Sequence, residues 1–249
     1  MIINTVKRRM LAGQPGIGAT VGLGSPTAAG LLARAGFDFV LVDYQHGEWD
    51  DGAALAAFRS ISLHGAIAMA RVRQNDFYTI GRVLDRGALG IVVPMVNSVA
   101  EAQAAALAVR YPPLGGRSFG GSLALHYGTD FDTWINDEIF LAVQIESAPA
   151  VERAEEILSV EGVDGCWIGP SDLARSMGVA QNTPAHTDAI LHVLDACRRT
   201  NKIAGISAAD AADAQRWIAH GLRFVTAGGD GAMVASGAHE TLRYLGRLS

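Results

Sequence analysis

The chain has 249 residues, 49% of them hydrophobic and 18% charged, with a net charge of −5. That apolar share supports one large buried core, and the acidic balance leaves no basic surface for nucleic acid. Two cysteines make no disulfide framework or metal-ligand spacing, and no run is long enough to span a membrane or serve as a signal peptide, so a cytoplasmic protein is expected.

Strand-like and helix-like runs alternate eight times along the sequence. The first strand is expected at Ile17–Leu23, and Ser25 followed by Pro26 reads as the start of a helix over 27–35. Strands at Phe39–Asp43, Ala66–Val72 and Gly90–Met95 are followed by helices over 51–63, 77–86 and 99–109. Strands at Ile139–Glu146, Gly165–Ile168, Ile203–Ser207 and Phe224–Ala227 precede helices over 149–158, 187–200, 209–219 and 231–245. The strands are short, apolar and bounded by Gly, Asp or Pro, as parallel strands buried on both faces are. Gly36, Gly65, Gly87, Gly162 and Gly221 stand where helices should end.

Eight β/α pairs in this length predict a single-domain (β/α)8 TIM barrel spanning residues 1–249. The competing architecture, a doubly wound open sheet, usually carries a glycine-rich phosphate turn after its first strand. GLGSP at 22–26 lacks the third glycine and the distal acidic residue, so dinucleotide binding is not expected. One segment breaks the rhythm: Tyr111–Asp137, containing YPPLGGRSFGG, is long enough to be a functional loop, an Ω-loop or a subunit contact.

A barrel gathers its chemistry at the C-terminal strand ends. There the sequence places Asp43, Gln45, His46 and Glu48 after strand two, and Arg71 and Arg73 after strand three. Gln144 and Glu146 follow strand five, and Gly169, Pro170, Ser171 and Asp172 follow strand six. Glu146 and Asp172 emerge at the same end of neighbouring strands and make a candidate hard-cation site. A Glu closing a buried strand needs a cation or a hydrogen-bond donor. Asp172, in the first turn of a helix, is by itself as readily a cap or dipole partner. Arg71 must find an anion: an ion pair with Asp43 or Glu48 is the structural explanation, and a clamp on a carboxylate or developing enolate oxygen is the functional one. His46 alone would be a surface histidine, but beside an arginine and two carboxylates it becomes a candidate for proton transfer. Asp85 lies at the wrong end of its helix for a negative charge, so Arg86 or His46 is expected to hold it. Cys166, inside an apolar strand, reads as a buried small hydrophobe. The only lysines, Lys7 and Lys202, precede strands one and seven, away from the mouth. A Schiff-base mechanism is therefore disfavoured, and carbanion chemistry here would need a metal as its electron sink.

The motifs AGFDFVLVDYQH, ARVRQND, VLDRGALGIVVPMVNSVAEA, RYPPLGGRS, VQIES and VEGVDGCWIGPSDLARSMG occur in order over most of the chain. In them the chain resembles the HpcH/HpaI aldolase family, metal-dependent class II pyruvate aldolases of the phosphoenolpyruvate/pyruvate barrel superfamily. The resemblance implies reversible cleavage of 4-hydroxy-2-oxoacids to pyruvate, or hydroxypyruvate, and an aldehyde. It implies that Glu146 and Asp172 ligate Mg²⁺, Mn²⁺ or Co²⁺, with Gln144 beside the metal and Gly169, Pro170 and Ser171 contacting the substrate carboxylate. Arg71 would stabilise the enolate oxygen, and His46, oriented by Asp85, would move protons. It also implies a homo-hexamer, a trimer of dimers, with the last helix packed on a neighbouring subunit. Two positions depart from the family pattern: Gln45 stands where a Glu is usual, and Thr20 where a bulky Trp is common. The first removes a negative charge beside His46, and the second would widen the pocket. An oxaloacetate-type decarboxylase or another lyase on the same enolate platform, or a non-catalytic oxoacid-binding barrel, remain as alternatives.

Overall fold

The computed structural model describes residues 3–120 and 127–247. Eight parallel strands close a barrel in chain order: β1 Gly16–Val21, β2 Phe39–Asp43, β3 Ile67–Arg71, β4 Gly90–Val93, β5 Phe140–Ile145, β6 Gly165–Ile168, β7 Gly205–Ala208 and β8 Phe224–Gly229. Helices alternate with them, so the chain is a (β/α)8 TIM barrel.

Alternation along each strand decides what reaches the mouth. Phe39, Phe140 and Phe224 meet inside the barrel near its N-terminal end, with ring centroids 4.8 Å (Phe39–Phe224) and 5.0 Å (Phe140–Phe224) apart. A Cβ on Gly18 would fall 2.3 Å from the Phe39 ring, so that ring fits only because its neighbour has no side chain. Two and four residues on, the same face of β2 presents Leu41 and Asp43, and that of β5 presents Ala142 and Gln144. The interior therefore changes from aromatic to polar between the bottom and the mouth.

The bottom is closed by an element that the strand–helix rhythm does not announce, a helix at Thr5–Leu11. Its cap, Asn4, is fully buried. The Asn4 backbone N–H donates to the Glu138 carboxylate at 2.6 Å, and its side-chain amide donates to the carbonyls of Leu89 (3.0 Å) and Glu138 (2.9 Å). Lys7 donates to the carbonyls of Asp137 and Ile139, both at 2.9 Å, and pairs with Asp164 at 3.1 Å. Lys202 donates to Val163 O at 2.6 Å, so both lysines sit at the bottom, as their places before strands imply.

Other boundaries shift. The helix expected over 149–158 is two, Ala148–Glu152 and Ala154–Leu158, because Arg153 (φ −106°, ψ 12°) interrupts the helical backbone. The helix expected from 187 starts at Pro184 and runs to Thr200. β7 begins at Gly205, with Ile203 contributing only an isolated bridge to Gly165. In the long connection after Arg110, the Tyr111, Phe119 and Phe131 rings cluster, with centroids 5.6 to 6.2 Å apart, and the Arg117 guanidinium lies 4.5 Å from the Tyr111 ring. Residues 121–126 of that connection lie outside the described residues.

The last helix, Asp230–Tyr244, buries only its first residue. The Asp230 carboxylate accepts the N–H groups of Gly22 (2.9 Å) and Leu23 (3.0 Å), pinning the helix to the end of β1. Beyond it Met233, Val234, Leu242 and Tyr244 are exposed, the last at 92%. No described helix is long and apolar enough to cross a membrane.

Candidate active site

A cavity of about 730 Å³ opens at the C-terminal end of the strands. Its wall includes Thr20, Gln45, His46, Arg71, Gln144, Trp167, Gly169, Pro170, Ser171 and Asp172, drawn from strands far apart in sequence.

Arg71 ends β3 in register with Asp43, which ends β2. The two form a forked pair, Nε to Oδ1 at 2.8 Å and Nη2 to Oδ2 at 2.5 Å, with their side chains 10% and 8% exposed. Asp43 Oδ1 also accepts the N–H groups of Gln45 (3.0 Å) and His46 (3.4 Å). One carboxylate thus fixes both the arginine and the turn that carries the histidine. The ion pair expected on structural grounds exists, and its two-point geometry fixes the orientation of a guanidinium that belongs to the cavity wall.

Glu146 follows β5 and is 3% exposed. Its Oε1 accepts the Met95 N–H at 2.9 Å, and its Oε2 is held in a short contact by the Gln144 amide. Burial lifts its carboxyl above the usual carboxylate range. The Met95 N–H pulls the other way, and the charge of Asp172 pushes it up again. Gly169 lies directly over this carboxylate: a Cβ there would sit 2.6 Å from Glu146 Oε2 and 2.9 Å from Gln144 Nε2. The missing side chain leaves only the Gly169 backbone between Glu146 and the cavity.

Asp172 is half exposed and accepts from Arg175 of the same helix, Pro170–Met177, at 3.1 Å. The helix is held from behind by a histidine that sequence reasoning passed over. His186 is buried; its Nδ1 accepts the Asn182 N–H at 3.2 Å, so Nε2 carries the proton that meets Pro170 O at 2.9 Å. Nothing in the local pattern marks it, because it lies early in the next helix and not at a strand end.

The donor set fits a hard divalent cation. Two carboxylates, one of them buried and raised in proton affinity partly by the other's charge, are relieved by a positive charge nearby. Among the described residues no group of three His, Cys, Asp or Glu side chains gathers anywhere. Two carboxylates are what such an ion keeps when its remaining positions go to substrate oxygens and water.

Residues 18–237 match the family described as HpcH/HpaI aldolase/citrate lyase. The chain belongs to that family. It is 38% identical over 242 residues to the hydroxypyruvate/pyruvate aldolase of Deinococcus radiodurans, covering 94% of this chain and 87% of that one. It is 37% identical to the 4-hydroxy-2-oxo-heptane-1,7-dioate aldolase of Escherichia coli, covering 94% and 92%. The crystal structure of a member from Burkholderia cenocepacia J2315 superposes with a TM-score of 0.91 at 29% identity, covering 97% of this chain and 99% of that one. By these relationships the protein is an aldolase, a carbon–carbon lyase, of a metal-dependent family.

On this HpcH/HpaI barrel the structure brings together His46, Arg71, Gln144 and the whole Gly169–Asp172 turn around one cavity, with Glu146 behind Gly169. It does not bring Asp85 there. Asp85 caps the helix Phe77–Leu84 and accepts from the buried Arg117 at 2.7 Å. Arg86, the expected partner of Asp85, instead reaches Asp51 at 2.8 Å. The reason is topological: Arg117 comes back over the helix end on the long connection, a return that local sequence does not reveal. Thr20 and Gln45, the two departures from the family pattern, both line the cavity.

Proposed function

We propose that this aldolase cleaves and forms 4-hydroxy-2-oxoacids, with pyruvate or hydroxypyruvate as the nucleophilic half and an aldehyde as the other. The observation that carries the reading is a locked Arg71 and Asp172 on the wall of one cavity, with the buried Glu146 carboxylate directly behind Gly169 of that wall. Glu146 and Asp172 would hold Mg²⁺, Mn²⁺ or Co²⁺. When bound, such a cation supplies the electron sink that carbanion chemistry requires. Arg71 Nη1 would donate to the enolate oxygen; its guanidinium is fixed before the reaction, so no reorganisation is needed as charge develops. The N-terminus of the helix Pro170–Met177, with Ser171, would take the substrate carboxylate. His46, held by the Asp43 turn at the cavity wall, would move the proton at C3, directly or through water. Asp85 is not carried forward as its orienting partner, because its carboxylate faces Arg117.

The proposal includes self-association. The apolar side chains along Asp230–Tyr244 support packing of this helix on a second copy, within the hexamer that the family resemblance implies.

The test is exchange of pyruvate methyl protons with D2O, followed by NMR, in metal-free protein and after addition of Mn²⁺ or Mg²⁺. Exchange that appears with the cation and disappears with a chelator is the expected result. No exchange of pyruvate or hydroxypyruvate protons under any cation would overturn the reading.

A further inference from the structure

The helix Pro170–Met177 starts without a side-chain cap, because its N-cap residue is Gly169. The first N–H groups of a helix have no acceptor within it and point back towards its N-terminus. Here that end is the Gly169–Asp172 turn in the cavity wall. These N–H groups are the donors assigned above to the oxoacid carboxylate.

Their direction is set from behind. A trans peptide unit is planar, with its C=O and N–H pointing opposite ways. A group that holds the Pro170 carbonyl therefore aims the Ser171 N–H. His186 is that group. Its Nε2–H donates to Pro170 O at 2.9 Å while its Nδ1 accepts the Asn182 N–H at 3.2 Å. Donation to a carbonyl also polarises the peptide and strengthens its N–H as a donor.

The histidine is itself well anchored. It is 1% exposed and lies in the first turn of Pro184–Thr200, where the Thr183 hydroxyl accepts its N–H at 3.4 Å. The Asn182 side chain accepts from Arg216 of the helix Ala211–His220 at 3.0 Å. Gln181 adds a second hold on the turn, its amide donating to the Ser171 hydroxyl at 3.1 Å. A cavity of about 130 Å³ remains behind the turn, lined in part by Pro170, Ser171, Gln181 and His186. Close packing thus does not fill this side, and polar contacts fix the turn. His186 is absent from the wall of the catalytic cavity, so it reaches the substrate only through the Pro170–Ser171 peptide.

We infer, resting on the aldolase reading above, that His186 is a positioning residue: through this peptide it aims the Ser171 N–H at the oxoacid carboxylate. That carboxylate is present in the bound oxoacid and in its enolate alike, so the contact acts on affinity and not on the rate of the step. The cation's carboxylates have other supports. Glu146 is held by Met95 and Gln144, and the Asp172 side chain by Arg175. Oxoacid affinity therefore depends on His186, and cation affinity does not.

The test follows pyruvate methyl exchange with D2O by NMR over a range of pyruvate concentrations in the Mg²⁺-loaded protein, with Mn²⁺ binding measured by isothermal titration. His186→Asn keeps an acceptor for the Asn182 N–H but is too short to reach Pro170. His186→Gln keeps a donor at the reach of Nε2. The Asn variant is expected to raise KM about tenfold, with kcat and Mn²⁺ affinity within about threefold of wild type. The Gln variant is expected to bring KM back within about threefold of wild type. If the Asn variant does not fold, His186→Met, which fills the space without a donor, takes its place. Unchanged KM without the donor, or a Gln variant no better than the Asn one, would overturn the inference. So would a parallel loss of oxoacid affinity, kcat and cation affinity, which marks a general loosening of the barrel. Wild-type protein separates the two levels. If it exchanges neither pyruvate nor hydroxypyruvate protons, the aldolase reading fails and takes the role of His186 with it. If it exchanges them and the variants do not behave as stated, only the role of His186 fails.

Discussion

Replacing Asp43 by Asn tests how far the site depends on one carboxylate. The change barely alters shape but removes the charge opposite Arg71, in a pair whose members are 8% and 10% exposed. Breaking a buried pair by neutralising one partner costs about 3–5 kcal/mol, because the other charge is left uncompensated. For a chain of this size that corresponds to roughly 6–20 °C in Tm. The catalytic loss has a separate origin. Asp43 also accepts from the N–H groups of Gln45 and His46, so the arginine and the histidine turn loosen together. Misplacement of reacting groups by about 1 Å costs on the order of 10²-fold in rate. The assay is pyruvate methyl exchange at saturating Mn²⁺, read alongside thermal unfolding by circular dichroism. Exchange within about threefold of wild type would refute the argument, since it would mean that Arg71 and His46 keep their places without the carboxylate said to hold them.

Three further outcomes are expected. Glu146→Gln follows from the raised carboxyl: the folded chain binds the Glu146 proton more tightly than the unfolded chain, so ionising it costs stability as pH rises from the ordinary carboxylate value through the raised one. Without cation the variant should therefore unfold no earlier than wild type at neutral pH, with that advantage fading on acidification, while cation-dependent exchange falls by about 10²-fold or more; earlier unfolding at neutral pH would contradict the sign. Gly169→Ala puts a Cβ 2.6 Å from Glu146 Oε2, so isothermal titration should show clearly weakened Mn²⁺ binding, at an overpacking cost of about 1–3 kcal/mol; unchanged affinity would show that this approach is not the one the cation uses. Borohydride with pyruvate should trap no adduct by mass spectrometry, because Lys7 and Lys202 donate to carbonyls at the barrel bottom; a mass shift on either lysine would require a second, Schiff-base route.

Much of this was legible from sequence because barrels put chemistry at strand ends. Glu146 and Asp172 could be placed at one rim from the alternation of VQIES and GCWIGPSD; in the structure Asp172 lines the cavity and Glu146 lies behind Gly169 in its wall. What escaped depends on contacts between segments with no fixed spacing. Asp85 was assigned by helix position, but Arg117 reaches it from more than thirty residues away. His186 supports the Pro170 carbonyl from a later helix. The meeting of Cys166 with Cys197 is a matter of how one helix rolls against one strand, and no count of cysteines contains it.

The seat of the first helix carries a consequence for the order in which the chain comes together. Asn4 and Lys7 find their partners at Leu89 and at residues 137–139, and Asn4 and Glu138 are 134 positions apart. Domains begin to organise from the N-terminus as they are synthesised, and distant closures cost more chain entropy than local ones. The first helix can meet β1 early, through Val6 and Met10 against Gly16, but its polar partners at Glu138 and Ile139 come only after more than half of the chain has followed. During that interval the buried amide of Asn4 and the ammonium of Lys7 lack the carbonyls that later hold them. The same separation insulates the finished molecule: the latch is at one end of the strands and the cavity at the other. Changes at the mouth, Thr20 and Gln45 among them, are therefore free to alter what is bound without loosening the closure that keeps the barrel shut.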